Sequence, residues 1–280
     1  MFDQLAAHEP MVRFSIFLAT LLVMGLAESL LPRRRRLFPR PARWLTNASI
    51  LAASALGIRL LSFAGSQLAV PMIAVAAALF AERRGWGLFH LIQAPAWAAA
   101  IAGFVLLDFA IWFSHWASHR VPVLWRVHRV HHSDRDFDVT TALRFHPVEI
   151  ALSMLYKVVW VLALGPSVST VIIFEMVLNG LAIFNHSNLA LPLWLDRMLR
   201  TVIVTPDMHR VHHSVHAGEH NHNFGFNLAI WDRLFGVYTA QPQDGHAAMT
   251  IGLPDYQIEA PTKLGWSLWL PFASKTGHRR

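Results

Sequence analysis

The sequence predicts an all-α integral-membrane protein, in which a bundle of transmembrane helices carries a histidine-rich helical cap on its cytoplasmic side. Three observations predict this fold class. The 280 residues are 54% hydrophobic and only 15% charged, whereas charged residues make up about 25% of typical soluble domains. Several apolar runs approach the roughly 20 residues that a helix needs to cross a bilayer. The 17 histidines are concentrated beside these runs, in short motifs.

The first half of the chain contains three long apolar segments and one short one. We predict membrane helices at about 11–31, 44–64 and 90–113 from the length of their apolar runs. The first run has no small-residue cleavage site and ends in a basic block, so it is interpreted as a retained helix rather than a signal peptide. The run at 68–81 is short and contains Pro71, which favours a re-entrant segment or a continuation of the second helix.

A helical hairpin is predicted in the second half. Its arms lie at about 150–164 and 168–184, joined by the turn sequence "GPS", and they are short enough to be tilted or only partly embedded. From residue 190 onward the sequence is polar and is expected to form the cap. We divide the chain into N-terminal membrane helices (1–90), a histidine-rich core region (91–240) and a C-terminal tail (241–280).

Two groups of arginines set the predicted orientation. One lies between the first two helices and the other follows the 90–113 helix: Arg33 to Arg36, Arg40 and Arg43 first, then Arg120, Arg126, Arg129, Arg135 and Arg144. Lys and Arg are enriched in cytoplasmic flanks, so both groups are placed in the cytoplasm, provided that 68–84 does not complete a crossing. The "ERR" at 82–84 then lies on the opposite side, against this rule. For Arg144, a lipid phosphate is an alternative to a role in topology.

The charge pattern and the cysteine count exclude several classes of protein. The formal net charge is +7, but the basic residues cluster at the ends of apolar runs rather than along a solvated face. This pattern argues against a nucleic-acid partner and suits membrane flanks. The chain has no cysteine, so disulfides, thiolate metal ligands and a cysteine nucleophile are excluded.

Five histidine motifs recur at helical spacing. They are "HWASH" at 115–119, "HRVHH" at 128–132 and again at 209–213, "NHSN" around His186 and "RFHPVE" around His146. Residues at i, i+3 and i+4 share one face of a helix, so each HRVHH can direct three imidazoles toward one point. Imidazole binds iron, zinc, copper and nickel. Because the eight to ten imidazoles of these motifs exceed what one ion takes, they predict a site for two metal ions.

The candidate metal ligands are His115, His119, His128, His131, His132, His186, His209, His212, His213 and His146. His186 follows an apolar hairpin arm and a core position is its alternative, while His146 precedes Pro147, which leaves ligand and supporting roles open. The histidines of "HAGEHNH" lie in a polar loop and are expected to be solvated: His216, His220 and His222. Four others are treated as uninvolved: His8, His90, His246 and His278.

One acidic residue lies within a predicted membrane helix. Asp108 precedes His115 by seven residues, two helical turns on the same face. Acids in membrane helices are costly and mark function, and metal-bound histidines commonly donate their second N–H to a carboxylate. Asp108 is therefore placed behind the ligands as a second layer of support. Weaker candidates are Glu149, Asp207, Glu219 and Asp232, the last favoured as part of a structural turn.

Taken together, these motifs resemble the fatty acid hydroxylase superfamily, in particular its sterol desaturase-like and alkylglycerol monooxygenase-like branches. The segments that carry the resemblance are "DFAIWFSHWASHR", "LWRVHRVHHSDRDFDVTTALRFHPVE", "NHSNL", "PDMHRVHHS" and "NFGFNLAIWDRLFGVY". They cover about residues 95–240 in the family's order, so that 91–240 would be the catalytic domain. The first 90 residues match only in spanning the membrane.

The resemblance implies a nonheme di-iron enzyme that uses O2 and two electrons to hydroxylate or desaturate a C–H position of a fatty acyl, sterol or related lipid. Carried over to this sequence, the three main motifs bind two iron ions, which zinc can replace on overexpression. His186 matches a further ligand position, and His146 is commonly present. An external cytochrome b5-, ferredoxin- or reductase-type electron donor is implied. We expect a bacterial inner-membrane protein with its histidines facing the cytoplasm.

Other functions fit the motifs less well. A zinc hydrolase would need a motif such as HExxH, which the sequence lacks. A membrane heme protein would place paired histidines in mid-span on separate helices, whereas these lie at the ends of spans. A non-catalytic metal-binding protein remains an alternative. Between the two oxidations, hydroxylation is favoured over desaturation because the closest resemblances are mostly monooxygenase-like.

Overall fold

The computed structural model describes residues 2–68, 70 and 72–273, with side chains from residue 11 onward. These residues form α-helices and short 3₁₀ turns, and they contain no β-strand beyond isolated bridges. The helices are α1 (Phe2–Leu30), α2 (Arg40–Leu68), α3 (Ala74–Arg84), α4 (Leu88–Leu91), α5 (Ala96–Arg120), α6 (Pro122–His132), α7 (Pro147–Leu164), α8 (Val168–Asn185), α9 (Leu193–Leu199), α10 (Pro206–His212), α11 (Ala217–His220), α12 (Ile230–Leu234), α13 (Gly245–Ala248) and α14 (Leu264–Trp269). The 3₁₀ turns are Val139–Leu143, Pro254–Tyr256, Ala260–Thr262 and Leu270–Phe272.

Five helices in the described part of the chain are long and apolar enough to cross a membrane: Met11–Leu30 within α1, and the whole of α2, α5, α7 and α8. This confirms the predicted all-α membrane fold. The arms of the hairpin, α7 and α8, have 18 residues each. At about 1.5 Å per residue they measure roughly 27 Å, close to the thickness of the hydrocarbon core. They are therefore longer than the sequence prediction allowed.

The segment between α2 and α5 stays at one end of the bundle. α3 has 11 residues, so it is about 16 Å long and too short to span the bilayer. Before it, the Val70 N–H donates to the Gly65 carbonyl at the end of α2 (3.0 Å). After it, Glu82 accepts a hydrogen bond from the first N–H of α8, that of Val168 (2.8 Å). Both ends are thus tied to the same side; Pro71 lies outside the described residues.

The core of the bundle lies where α5, α7, α8 and α3 meet. Leu107 and Ile111 of α5 pack with Val161 of α7, Phe174 of α8 and Ala77 of α3, and all five are buried. The α7–α8 turn closes this core from the far side, where Gly165 adopts a positive φ of 68° beside the connection between α3 and α4. A side chain at Gly165 would collide with the backbone of that connection. The glycine therefore permits the hairpin tip to dock closely.

The opposite end of the bundle carries the cap. α1, α5 and α8 end there, and α2 and α7 begin there, because each of these helices contacts α6 or the 3₁₀ turn Val139–Leu143, and the end of α1 also bonds the chain just after α8. For example, the Ala190 N–H donates to the Leu31 carbonyl just after α1 (2.8 Å). The guanidinium of Arg43, in the first turn of α2, binds Asp134 and Asp138 beyond α6. The arginine block at 33–43 and the histidine motifs therefore lie on one side of the bundle, as the sequence predicted.

Candidate metal centre

The histidine motifs occupy the ends of helices that point into the cap. "HWASH" forms the last turns of α5, the first "HRVHH" ends α6, and the second ends α10, with His213 just after the helix. Proline begins both α6 and α10, at Pro122 and Pro206, where a missing N–H costs nothing. The side chain of Thr205 caps α10 by accepting a hydrogen bond from the Met208 N–H (3.3 Å). These start signals make short helices at the positions that display the imidazoles.

The buried histidines form two groups, each with nitrogen atoms that lie within 4.8 Å of one another. The five-histidine group contains His115, His119, His128, His132 and His212. The four-histidine group contains His131, His186, His209 and His213. All nine side chains are at most 4% exposed. The nine are the predicted ligands other than His146, and the structure brings them together in two places rather than one.

The two "HRVHH" motifs interlock the groups. The first motif contributes its outer pair, His128 and His132, to the five-histidine group and its middle residue, His131, to the other. The second motif does the reverse: its middle histidine, His212, belongs to the five-histidine group, and its outer pair, His209 and His213, belongs to the four-histidine group. The rings of His132 and His213 stack across the boundary with centroids 4.6 Å apart. Loss of either α6 or α10 would therefore remove histidines from both groups.

The nitrogen atoms of each group converge as ligands around a cation would. Nε2 of His128 lies 3.1 Å from Nε2 of His132. In the other group, Nε2 of His186 lies 3.2 Å from that of His131 and 3.1 Å from that of His209. Several further ring nitrogens are buried without a hydrogen-bond partner among the described residues: Nε2 of His115, His119, His212 and His213. Buried polar atoms are rarely left unpaired, so a shared cation in each group fits this donor set.

The environment keeps these imidazoles neutral, which leaves a lone pair for a metal. Burial, reinforced by neighbouring imidazoles, lowers the pKa well below its usual value for His131, His132, His209, His212 and His213. Burial lowers the pKa of His128 to about 3 and that of His186 to about 4. A charged imidazole would have to give up its hydration on burial. The groups are therefore uncharged ligand sets at neutral pH.

Hydrogen bonds behind the groups fix the orientation of four rings. In each, Nδ1–H donates to an oxygen, which leaves Nε2 free to accept. The pairs are His115 with the Phe224 carbonyl (2.7 Å), His186 with the Ala182 carbonyl (2.7 Å), His212 with the His222 carbonyl (2.7 Å) and His128 with Glu149 Oε1 (2.6 Å). Both groups contain such rings, so both are preorganised for a cation.

Comparison with known proteins agrees with this geometry. A model of the fatty acid hydroxylase family matches residues 100–237, the stretch that supplies all nine histidines. Ornithine lipid hydroxylase OlsE of Rhizobium tropici is 25% identical over 81% of the chain. The chain belongs to the fatty acid hydroxylase superfamily. Human alkylglycerol monooxygenase is 26% identical over 69% of this family member, and its Danio rerio counterpart is 30% identical over 62%.

The matches do not extend over the full length of every relative. This fatty acid hydroxylase family member covers 67% of the ornithine lipid hydroxylase, but only 43% and 38% of the human and Danio rerio alkylglycerol monooxygenases. No solved structure matches the chain at a significant level. The relatives therefore show a family that hydroxylates lipids.

Asp108 supports the site of this hydroxylase family member through a loop rather than through a histidine. Its Oδ2 accepts from the Trp231 indole (2.8 Å) and the Leu228 N–H (3.2 Å). Asp232 is fully buried and binds the N–H of Phe224 (2.8 Å). Together the two acids hold the loop 224–231, whose Phe224 carbonyl accepts from His115. The oxygen behind His115 is thus a carbonyl, and Asp108 stands one layer further out than its spacing suggested.

The remaining predicted acids have distinct positions. Glu149, a weaker candidate in the sequence, is the acid that touches a histidine of the groups. Asp207 forms ion pairs with Arg33 and Arg210. Glu219 accepts a hydrogen bond from the backbone of Gln243. Of these acids, only Glu149 could have been predicted from the sequence to contact a histidine. It lies in the first turn of a helix, next to His146, and the start of that helix lies at the cap.

Two further histidines lie differently from expectation. His146 is outside both groups: its Nδ1 accepts from the Val148 N–H at the start of α7 (3.2 Å). His220, expected to be solvated, is buried, with its ring centroid 4.7 Å from that of His119 and 4.6 Å from that of His132. It lies on the single-turn helix α11, within a polar stretch that gives no periodic signal. By contrast, His216 is exposed and pairs with Asp244 (2.6 Å), as a surface histidine should.

Proposed function

We propose that this protein is a membrane-bound nonheme di-iron oxygenase that hydroxylates a C–H position of a membrane lipid. The observation that carries the proposal is the pair of interlocked, buried and neutral histidine groups at the end of a transmembrane bundle. Membership of the fatty acid hydroxylase superfamily supports a lipid oxidation. Names of relatives, a lipid hydroxylase and several monooxygenases, favour hydroxylation over desaturation.

Each histidine group would hold one iron ion. The five-histidine group and the four-histidine group offer imidazole nitrogens alone, which suit iron among the borderline metals. When bound, the iron pair would supply the oxidising power that an unactivated C–H bond demands, with O2 as co-substrate. Zinc also binds imidazole and can replace iron in overexpressed protein. His146 stays a predicted ligand or support, although it lies apart from the two groups.

The chain itself would position the ligands and exclude water. Aromatic rings cover the groups: the ring of Phe145 stacks on His131 with centroids 4.2 Å apart, and that of Phe226 lies 4.9 Å from His115. Phe137, which is fully buried, covers His213 at 5.0 Å. A dry, apolar surround protects a strong oxidant from side reactions. The same rings are compatible with an aliphatic substrate chain.

The overall reaction consumes one O2, two electrons, two protons and a C–H bond, and it yields an alcohol and water. The described residues include no heme or flavin motif that would supply the electrons, so we propose an external donor of the cytochrome b5, ferredoxin or reductase type. We further propose a fatty acyl, sterol or related lipid as substrate. The histidine groups would face the cytoplasm from a bacterial inner membrane, because the arginine block at 33–43 lies on their side.

Metal content is the first test of this function. Wild-type protein from iron-supplemented cells would be purified in detergent beside His212→Ala and, as a matched control, His216→Ala. We expect about two metal ions per wild-type chain by elemental mass spectrometry, a clear loss in His212→Ala, and no change in His216→Ala, because His216 is exposed and outside both groups. A folded wild-type protein without metal would contradict the proposal, and a strong Soret band would favour a heme protein instead.

Lipid chemistry provides the second half of the test. Cells that express the wild type should contain a lipid species heavier by one oxygen atom, absent from cells that express His212→Ala and present with His216→Ala. A product lighter by two hydrogen atoms would show desaturation in place of hydroxylation. Metal binding without any oxidised lipid would support the non-catalytic alternative.

A further inference from the structure

The arginine block between α1 and α2 is only partly neutralised. Arg33 pairs with Asp207 (3.0 Å), and Arg36 and Arg40 pair with Glu28 (3.5 and 3.3 Å). Arg43, at the end of the block, binds Asp134 and Asp138. Two arginines remain without an ion pair among the described residues, Arg34 and Arg35. Arg35 is exposed and water solvates it, so only Arg34 poses a physical problem.

Arg34 is a buried cation with unsatisfied donors. Its residue is 4% exposed, and its Nε and Nη1 are buried without a hydrogen-bond acceptor among the described residues. The Arg34 backbone, in contrast, is fixed: Asn188 accepts from its N–H (3.2 Å) and donates to its carbonyl (2.9 Å). A buried guanidinium with unpaired N–H groups is costly. A polar ligand that accepts from it would remove that cost.

The surroundings of Arg34 carry an excess of positive charge. Arg33 and Arg210 share the carboxylate of Asp207, and Arg210 also donates to the Ser187 carbonyl, next to the Asn188 that holds the Arg34 backbone. The other nearby acid, Asp136, raises the pKa of Arg34, which burial lowers. However, Asp136 already accepts from three backbone N–H groups. Arg33, Arg34 and Arg210 thus outnumber the two carboxylates Asp207 and Asp136, and Asp136 also faces Arg43. An anion would balance this excess of positive charge.

This positive charge lies next to the four-histidine group. Asn188, which holds the Arg34 backbone, follows His186 by two residues. Phe137 contacts both regions: its ring is 5.7 Å from the His186 ring, and the Arg210 guanidinium lies over it at 5.3 Å. An anion at Arg34 would therefore lie beside the chain segment that carries His186.

The position also borders the lipid phase. Leu30 and Leu31 precede the block and Leu37 lies within it, and they are 69%, 59% and 59% exposed. Exposed leucines beside a cationic site at the end of a membrane helix match the transition from acyl chain to headgroup.

We propose that Arg34 binds the oxyanion of a lipid headgroup, a phosphate or carboxylate, and so positions an anionic phospholipid beside the four-histidine group. This rests on the proposed function, because it identifies the bound lipid with the class of the substrate. Guanidinium donates charge-assisted hydrogen bonds to phosphate and carboxylate, and two nitrogens of Arg34, Nε and Nη1, lack an acceptor among the described residues. Arg144, the arginine that the sequence offered for a lipid phosphate, is fully buried and saturated by protein acceptors, including Asn47 and Ser267.

Lipid retention tests the inference without turnover. Wild type, Arg34→Gln, Arg34→Lys and the control Arg35→Gln would be placed in phosphatidylcholine nanodiscs with increasing phosphatidylglycerol. Native mass spectrometry would then count retained phosphatidylglycerol per chain. We expect about tenfold weaker retention or more in Arg34→Gln, since a charge-assisted hydrogen bond is lost. Retention should stay within a few-fold of wild type in Arg34→Lys and be unchanged in Arg35→Gln.

Three results would overturn the inference: equal retention in Arg34→Gln and wild type, an equal loss in Arg35→Gln, or full displacement of the lipid by inorganic phosphate, which would indicate a site for free anions. Metal content is measured in every sample, so a misfolded Arg34→Gln variant is recognised by lost metal, and Arg34→Lys then decides. If the wild type retains phosphatidylglycerol but binds no metal, the proposed function fails while the lipid site stands.

Discussion

At the scale of single residues, the acceptor behind an imidazole decides whether the ring can serve as a ligand. Neutral histidine carries one proton, and a hydrogen bond from Nδ1–H keeps Nε2 free. For three rings this acceptor is a backbone carbonyl, which no substitution removes. For His128 it is the side chain of Glu149. Glu149 is therefore the place where this layer of the site can be tested by mutation.

We predict that Glu149→Ala weakens metal binding by about 10- to 100-fold, the usual effect of removing a partner behind a ligating histidine. Without the carboxylate, His128 is free to rotate and to exchange tautomers. Glu149→Gln should restore most of the affinity, because its amide oxygen can still accept from Nδ1–H. Competition with a chelator measures both variants. Equal affinities for Glu149→Ala and wild type would show that His128 needs no such partner, and equal losses in both variants would show that the charge matters.

The ligand set was largely predictable from spacing, and its partition was not. HxxxH and HxxHH place imidazoles on one helical face, and all of those residues do meet in the structure. The spacing could not show that His131 and His212 turn to the opposite group from their neighbours, since that depends on how α6 and α10 pack. Nor could it show His220, whose burial follows from contacts with α5 and α6 rather than from its own polar stretch. Whether these residues bind metal stays a prediction.

At the scale of elements, the loop after α6 is the link between the bundle and the cap. Arg43 of α2 binds both oxygens of Asp134 (2.7 and 2.9 Å) and one of Asp138 (2.8 Å). Burial alone would raise the pKa of Asp134, but Arg43 lowers it to about 2. The pair is thus ionised and buried, and it holds α6, with His131 and His132, against the start of α2.

We predict that Arg43→Gln is strongly destabilising, by roughly 3–5 kcal/mol, because it removes the ion-pair partner of two buried carboxylates, Asp134 and Asp138. For a chain of this size the midpoint of thermal unfolding in detergent should fall by about 10 °C. Arg197→Gln is the matched control: Arg197 is exposed on α9, and its loss should shift the midpoint by about 1 °C or less. A change of that small size in Arg43→Gln would mean that the buried network relaxes or takes up protons at little cost.

The lengths of the apolar runs predicted the membrane helices, with two differences. α5 runs on to Arg120, beyond the apolar run that ended the predicted helix, because the histidines of "HWASH" are buried and continue the helical face. α3 forms a short separate helix rather than part of α2. Hydropathy could not distinguish a separate α3 from a continuation of α2, since the run that contains Pro71 is equally apolar in either case.

At the scale of the whole molecule, the five candidate spans alternate so that every end near the histidines lies on one side. α3 and α4 stay on the other side, where Glu82 meets the start of α8. The "ERR" at 82–84 therefore lies opposite the larger arginine groups, as the sequence required if 68–84 does not cross. The division of the chain into three parts at residues 91 and 241 stays a prediction. The first two parts are in direct contact, since α1 packs on α8 and α2 packs on α7.

This topology gives a prediction that the absence of cysteine makes simple to test, since a single introduced cysteine is the only thiol. Arg35→Cys and Arg197→Cys lie on the histidine side, and Arg83→Cys lies at the far end; all three positions are exposed. We expect a membrane-impermeant maleimide to label Arg83→Cys in intact spheroplasts. The other two should be labelled only in inverted vesicles, because the side richer in arginine faces the cytoplasm.

The labelling pattern separates the possible errors. The cysteine-free wild type sets the background, and metal content confirms that each variant is folded. If all three cysteines were labelled from the same side, the segment between α2 and α5 would have to cross the membrane, and α3 would not lie as the structure places it. If the labelling pattern were inverted, the arrangement of the helices would still hold, but the histidine groups would face away from the cytoplasm. A cytoplasmic electron donor could not reach them there, and the proposed orientation and electron donor would be wrong.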